Sequence, residues 1–151
     1  MIKILQATPE QTGILTTITI AAKRHWNYPE SWIQTWLPSL TVTAEYIQSN
    51  ETWVAIEGEQ YVAYYSLKLD GEFLWLDNLW VLPEFIGQGI GKWLFHHAVE
   101  RSRETGATAL KIEADPNAQD FYEKIGAQKI GEHHTEVGSQ MRVLPIMEII
   151  L

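Results

Sequence analysis

Apolar and polar positions change period several times along the 151 residues, and each change predicts an element. Ile2 to Ala7 reads as a strand. Thr8-Pro9-Glu10 reads as a helix start, with Thr8 as the cap and Pro9 in the first turn, and a helix runs on toward His25. An aromatic-rich helical segment follows from Pro29 to about Leu37, in which Trp32 and Trp36 stand four apart on one apolar stripe. Thr43 to Gln48 predicts a short helical turn. Trp53–Glu57, Tyr61–Leu69 and Glu72–Val81 predict three consecutive strands, joined by turns at Glu57-Gly58 and Asp70-Gly71. A helix from Gly89 to Thr105 ends at Gly106, a strand spans Leu110–Ala114, and a helix from Asn117 to Ile125 ends at Gly126. Two closing strands cover roughly Gln128–Thr135 and Arg142–Leu151. Consecutive strands followed by a crossover helix and another strand imply an antiparallel meander passing into a parallel pair, with helices on both faces.

Composition narrows the function. The length suits one domain, 1–151, and no repeat or linker divides it. Hydrophobic residues make up 46% and charged residues 20%, ordinary for a globular protein. Apolar runs are too short to cross a bilayer, and the start shows no secretory pattern, so the expectation is a cytoplasmic protein without a membrane partner. The absence of cysteine removes disulfides, thiolate metal sites and a cysteine nucleophile. A formal net charge of −8 argues against a nucleic-acid partner.

The densest signal is Val81-Leu-Pro-Glu-Phe-Ile-Gly-Gln-Gly-Ile-Gly-Lys-Trp-Leu-Phe95. Glycines at 87, 89 and 91 leave no Cβ over a helix entrance, where unpaired N–H groups and the helix dipole favour an anion. A Walker loop would need glycine at Ile86 and a hydroxyl at Trp93, and a dinucleotide fingerprint would need its third glycine at Lys92. Both patterns fail on those residues. The stretch Ile86-Gly87-Gln88-Gly89-Ile90-Gly91 instead resembles the Arg/Gln-x-x-Gly-x-Gly/Ala pyrophosphate loop of the GCN5-related N-acetyltransferases, departing from it at Ile86. A second block, Ala114-Asp-Pro-Asn-Ala-Gln-Asp-Phe-Tyr-Glu-Lys-Ile-Gly-Ala127, resembles the same family's later motif, in the family's order. The resemblance implies an α/β fold with a mixed, mostly antiparallel sheet, whose splayed parallel strands form an acyl-coenzyme A cleft. It implies transfer of an acetyl group from acetyl-coenzyme A to an amine by direct attack in a ternary complex, with no metal. The alternative is an inactive module of the same fold that senses acyl-coenzyme A.

Under that resemblance the backbone of Leu79, Trp80 and Val81 pairs with the pantetheine arm, and Ile86 through Lys92 meets the phosphates. Tyr122 is the first choice for the acid that protonates the departing thiolate. Phe121, Ala118 and Ile125 form the apolar stripe of that helix, which leaves Tyr122 facing the cleft. Asn117 is expected to cap the helix and to contact the cofactor. Asp77, the only acid in its strand after the opening Glu72, is the candidate base, sharing a face with Trp75, Leu79 and Val81; Glu113 is a lesser candidate. His25, Trp26 and Tyr28 are expected to shape the acceptor pocket for a small-molecule or peptide amine, with Trp32 and Trp36 left to packing. Arg142 either holds an acceptor carboxylate or makes a surface ion pair. His133 and His134 point to opposite strand faces, which disfavours a metal. The apolar Leu144–Leu151 strand leaves a homodimer open.

Overall fold

The strand-rich middle of the chain sets the architecture. A computed structural model describes all residues 1–151 and contains one seven-stranded sheet in the order β1-β2-β3-β4-β5-β7-β6. The strands are β1 (Ile2–Gln6), β2 (Glu51–Glu57), β3 (Gln60–Asp70), β4 (Phe73–Val81), β5 (Ala109–Glu113), β6 (Gln128–Val137) and β7 (Gln140–Ile150). Every neighbouring pair is antiparallel except β4 and β5, which the helix between them makes parallel.

The helices α1 (Thr12–Arg24), α2 (Glu30–Leu40), α3 (Ala44–Ser49), α4 (Ile90–Glu104) and α5 (Gln119–Lys124) divide between the two faces. On one face Leu15 and Ile18 of α1 and Ile47 of α3 meet Val54 and Tyr64. On the other, Leu94, Phe95 and Ala98 of α4 meet Ala63, Tyr65, Leu74 and Leu110. Full burial of each such large aliphatic or aromatic side chain contributes roughly 1.5–3 kcal/mol, so both faces anchor their helices firmly. The helix expected to stop near Leu37 carries Pro38 inside it and runs on to Leu40. Ser39 and Thr41 hydroxyls donate to the Trp36 and Leu37 carbonyls, which belong to the last turn and have few partners within the helix.

Two irregularities position the site. The β4–β5 ladder is confined to Leu74↔Leu110 and Trp75↔Lys111, after which β4 continues to Val81 and the strands part. Within β4 the register against β3 slips, pairing Ser66 with Asn78 and Leu67 with Leu76, so that Asp77 is the extra residue of a bulge. The slip overturns the expected strand face. Leu74 and Leu76 before the bulge and Leu79 and Val81 after it pack toward α4, although two-residue alternation would separate them. Asp77 therefore does not share an apolar face with Trp75, Leu79 and Val81; it is exposed.

Candidate active site

The parted strands open a cleft of about 530 Å³ whose wall runs from the glycine loop to α1. At one end, Gly87 and Gly89 take φ of +86° and +83°, a region closed to most side chains, and Gly89 sits at the N-terminal cap of α4. A Cβ on Gly91 would meet the Phe121 ring at 3.4 Å, so this glycine serves close packing instead. No backbone N–H from Gly87 to Lys92 finds a partner inside the chain. Six adjacent free donors at the start of a 15-residue helix suit a pyrophosphate. Ile86, Gly87, Gly89, Gly91 and the exposed Lys92 line the cleft. The Ile90 side chain is buried in the core and Gln88 reaches back to the Glu84 carbonyl, so these two can contribute only main chain.

Leu79, Trp80 and Val81 form the adjoining wall. Past Trp75 their strand has no partner on the β5 side, which leaves an edge for main-chain pairing with an extended ligand.

Tyr122 lines the cleft without standing apart from the core. Its ring is no free face of α5: it is 6% exposed and packs against Phe95 and Phe121, with ring centroids 5.9 and 5.1 Å away. The hydroxyl has no hydrogen-bond partner, yet no buried side-chain polar atom of the chain is left unpaired. The oxygen therefore reaches the cleft surface, where Tyr122 is a lining residue. Burial pushes this phenol up, so it stays protonated at neutral pH.

Asp77 also lines the cleft, and its carboxylate accepts a hydrogen bond from the Tyr46 hydroxyl. That hydroxyl belongs to a network in which Asn78 donates to Ser66 at 2.9 Å and the Trp80 indole donates to Asn78 at 2.9 Å. Burial, reinforced by Asp77, pushes Tyr46 up as well, so it remains a donor. Glu113 lies on the same cleft and pairs with His133 at 2.8 Å.

The far end is built from residues distant in sequence. Asn27 adopts φ +58°, a left-handed conformation asparagine tolerates, and turns the chain after α1 into Tyr28. Asp115 receives Lys23 Nζ at 2.8 Å, the Tyr28 hydroxyl at 2.9 Å, and both the backbone N–H and the side-chain amide of Asn117 at 2.9 Å. Asn117 is thus not the cap; Asp115 caps the turn and Asn117 donates to it and to Tyr28. Arg142 is no surface residue. Its side chain is 10% exposed, donates to the Tyr28 hydroxyl at 2.9 Å and lies 3.7 Å from Asp115. Burial works to raise the Asp115 pKa, but the Lys23 ammonium and the bonds from Asn117 and Tyr28 outweigh it and hold the carboxyl below the usual range. Burial lowers Lys23, assisted by Arg142 and opposed by Asp115. The Tyr28 phenol, buried and beside Asp115, is pushed up to about 12.

Trp36, expected only to pack, lies under both cations, 4.5 Å from Lys23 Nζ and 4.8 Å from the Arg142 guanidinium. Trp32 stacks on Tyr28. Trp26 lines the cleft, whereas His25 is exposed at the end of α1 and stays outside it. Sequence reasoning missed Lys23, Trp36 and Asp115. The one available signal was Asp115 inside the second motif block.

The chain is similar in sequence and in fold to known proteins. A family described as Acetyltransferase (GNAT) matches residues 17–127. A peptidyl-lysine N-acetyltransferase, YjaB of Salmonella typhimurium, is 29% identical over 109 residues, covering 72% of this chain and 70% of that one. A thialysine N-epsilon-acetyltransferase of Bos taurus is 31% identical over 78 residues, covering 50% of this chain and 45% of its own. Among solved structures, the PaiA N-acetyltransferase of Thermoplasma acidophilum in complex with coenzyme A superposes with a TM-score of 0.82 at 19% identity, covering 100% of this chain and 99% of that one. A GCN5-related N-acetyltransferase from Rhodopseudomonas palustris gives the same TM-score and identity over 99% and 95%. With its parted parallel strands and a match spanning both motif blocks, the chain belongs to the acetyltransferase (GNAT) family.

Proposed function

We propose that this protein moves an acetyl group from acetyl-coenzyme A to an amine by direct attack while both are bound. The observation that carries the reading is one continuous cleft holding the unpaired N–H groups of Gly87–Lys92 and the reachable Tyr122 hydroxyl. The thioester supplies an activated acyl carbon and a thiolate leaving group. Gly87–Lys92 hold the pyrophosphate, and the free edge of Leu79–Val81 orients the arm that carries the acyl group. Asp77 or water accepts the proton that the attacking amine must lose, since such an amine has a pKa near ~10. Tyr122 keeps a proton at its hydroxyl and delivers it to the departing sulfur. The absence of cysteine supports transfer without an acyl-cysteine stage. The names of the two curated relatives support a lysine-type ε-amine as the acceptor.

The test is steady thiol release with a panel of lysine-type amines, paired with calorimetry of coenzyme A binding. Turnover is expected in the wild type. Gly89→Val puts a β-branched residue at φ +83° over the N–H cluster and should abolish binding while the protein stays folded. Wild-type affinity in this variant would remove the loop from the site. Tight binding with no turnover on any amine would instead make the protein an acyl-coenzyme A sensor.

A further inference from the structure

The far end of the cleft has a surplus of hydrogen-bond donors that nothing in the chain uses. Lys23, Asp115 and Arg142 all line it, and each side chain is only 10% exposed. Asp115 is saturated: its two oxygens already accept from Lys23, from Tyr28 and twice from Asn117. The Tyr28 hydroxyl is saturated as well. It donates to Asp115 and accepts from Arg142 at 2.9 Å and Asn117 at 3.0 Å. No acceptor is left there for an ammonium group.

The donors are in the opposite state. Arg142 uses one Nη2 hydrogen, and its Nε and Nη1 have no partner. Because no buried side-chain nitrogen lacks a partner, those two groups are not sealed in the core, and Arg142 lines the cleft. Lys23 Nζ makes one hydrogen bond and otherwise rests over the rings of Trp36 at 4.5 Å, Tyr28 at 4.9 Å and Trp80 at 5.8 Å. Ring faces attract a cation but leave it without an anionic partner. Two cations against one carboxylate leave one uncompensated positive charge in a largely desolvated pocket, a costly arrangement unless an anion completes it. Nε and Nη1 lie on different edges of the guanidinium, and the second Nη2 hydrogen together with one of them makes an edge that matches a planar carboxylate; a single surplus charge matches a monoanion better than a phosphate dianion.

We infer that Arg142 and Lys23 bind the carboxylate of the amine acceptor, so that the substrate is a free amino acid of the lysine type and not a lysine within a polypeptide. This rests on the acyl-transfer reading above. The carboxylate anchors one end of the acceptor in the aromatic cage while its distal amine extends along the cleft toward Tyr122 and Asp77. Arg142 lies on β7, beyond the residues 17–127 matched to the family, whereas Lys23 lies within them.

The experiment compares acceptors that differ only at the carboxylate: L-lysine, L-lysinamide, 1,5-diaminopentane, and Nα-acetyl-lysine amide as the peptide-like arm. The wild type should favour L-lysine in kcat/KM by roughly 10–100-fold, mainly through KM, which is the range of charge-assisted hydrogen bonds. Arg142→Gln should reduce that preference to near unity, and Arg142→Lys should restore part of it. Equal or greater use of the amide, the diamine or the peptide-like arm by the wild type overturns the inference while leaving acyl transfer intact. A second measurement needs no turnover. Tryptophan fluorescence of the coenzyme A-saturated protein should show saturable, salt-sensitive binding of pentanoate and none of pentylamine, with the pentanoate signal lost in Arg142→Gln. Failure of the wild type to bind pentanoate overturns the inference even if no amine is acetylated.

Discussion

Replacing Tyr122 by Phe removes one oxygen and leaves the ring against Phe95 and Phe121. The hydroxyl makes no hydrogen bond within the chain, so none is broken, and the folded protein loses nothing that melting would detect. The chemical cost is of another order. Burial pushes the Tyr122 pKa above its ordinary value near ~10, so the group carries its proton across every practical assay pH. A positioned acid of this kind contributes about 10²–10⁴-fold to rate, equivalent to about 3–5 kcal/mol of barrier. Tyr122→Phe should therefore lower kcat by that factor, with coenzyme A affinity and melting temperature unchanged. Thiol release under saturating acceptor measures the first, calorimetry the second, and thermal unfolding the third. The wild-type profile should also show no loss of rate from this group between pH 6 and about 9, because a raised acid is fully protonated there. A variant with wild-type kcat would remove the phenol from the reaction. A variant that loses cofactor binding or melts early would make its role structural.

Ile86 is 46% exposed on the cleft wall beside the free N–H groups, so Ile86→Arg should tighten coenzyme A binding several-fold in calorimetry; unchanged affinity would show that this position points away from the phosphates. Asp115→Asn leaves Lys23 and Arg142 without their buried counter-charge and should cost about 3–5 kcal/mol, or a fall of roughly 6–20 °C in melting temperature. The same pair gives an acid limb. Because the folded carboxyl lies below its unfolded value near ~3.9, its contribution is complete above that pH and is lost as pH falls through the folded value. Wild-type stability should therefore drop more steeply than that of Asp115→Asn in acid titration below pH ~4, and parallel curves would refute the assignment.

What the amino-acid sequence determined by itself was local. Three glycines spaced by single residues, a proline before them and an amphipathic run after them describe a strand-to-helix turn with open N–H groups, because φ preference and helix periodicity act within a few residues. The order of strands and the crossover helix likewise implied the mixed sheet, and the motif block from Ala114 to Ala127 pointed to Tyr122. Three features came only from the tertiary structure. The bulge at Asp77 is a register slip between β4 and β3, and nothing in the alternation of Leu76, Asp77 and Asn78 announces it. The Tyr122 ring entered the core because α5 packs beside α4, which places Phe95 against it; a helical wheel drawn on α5 alone cannot know its neighbour. The cage joins Lys23 to Asp115 across 92 positions and Tyr28 to Arg142 across 114, and such pairs exist only once helices and strands dock. Periodicity reports which side of an element is apolar. Which charges meet across the space between elements is decided by packing, and that is where the charged far end of this cleft was made.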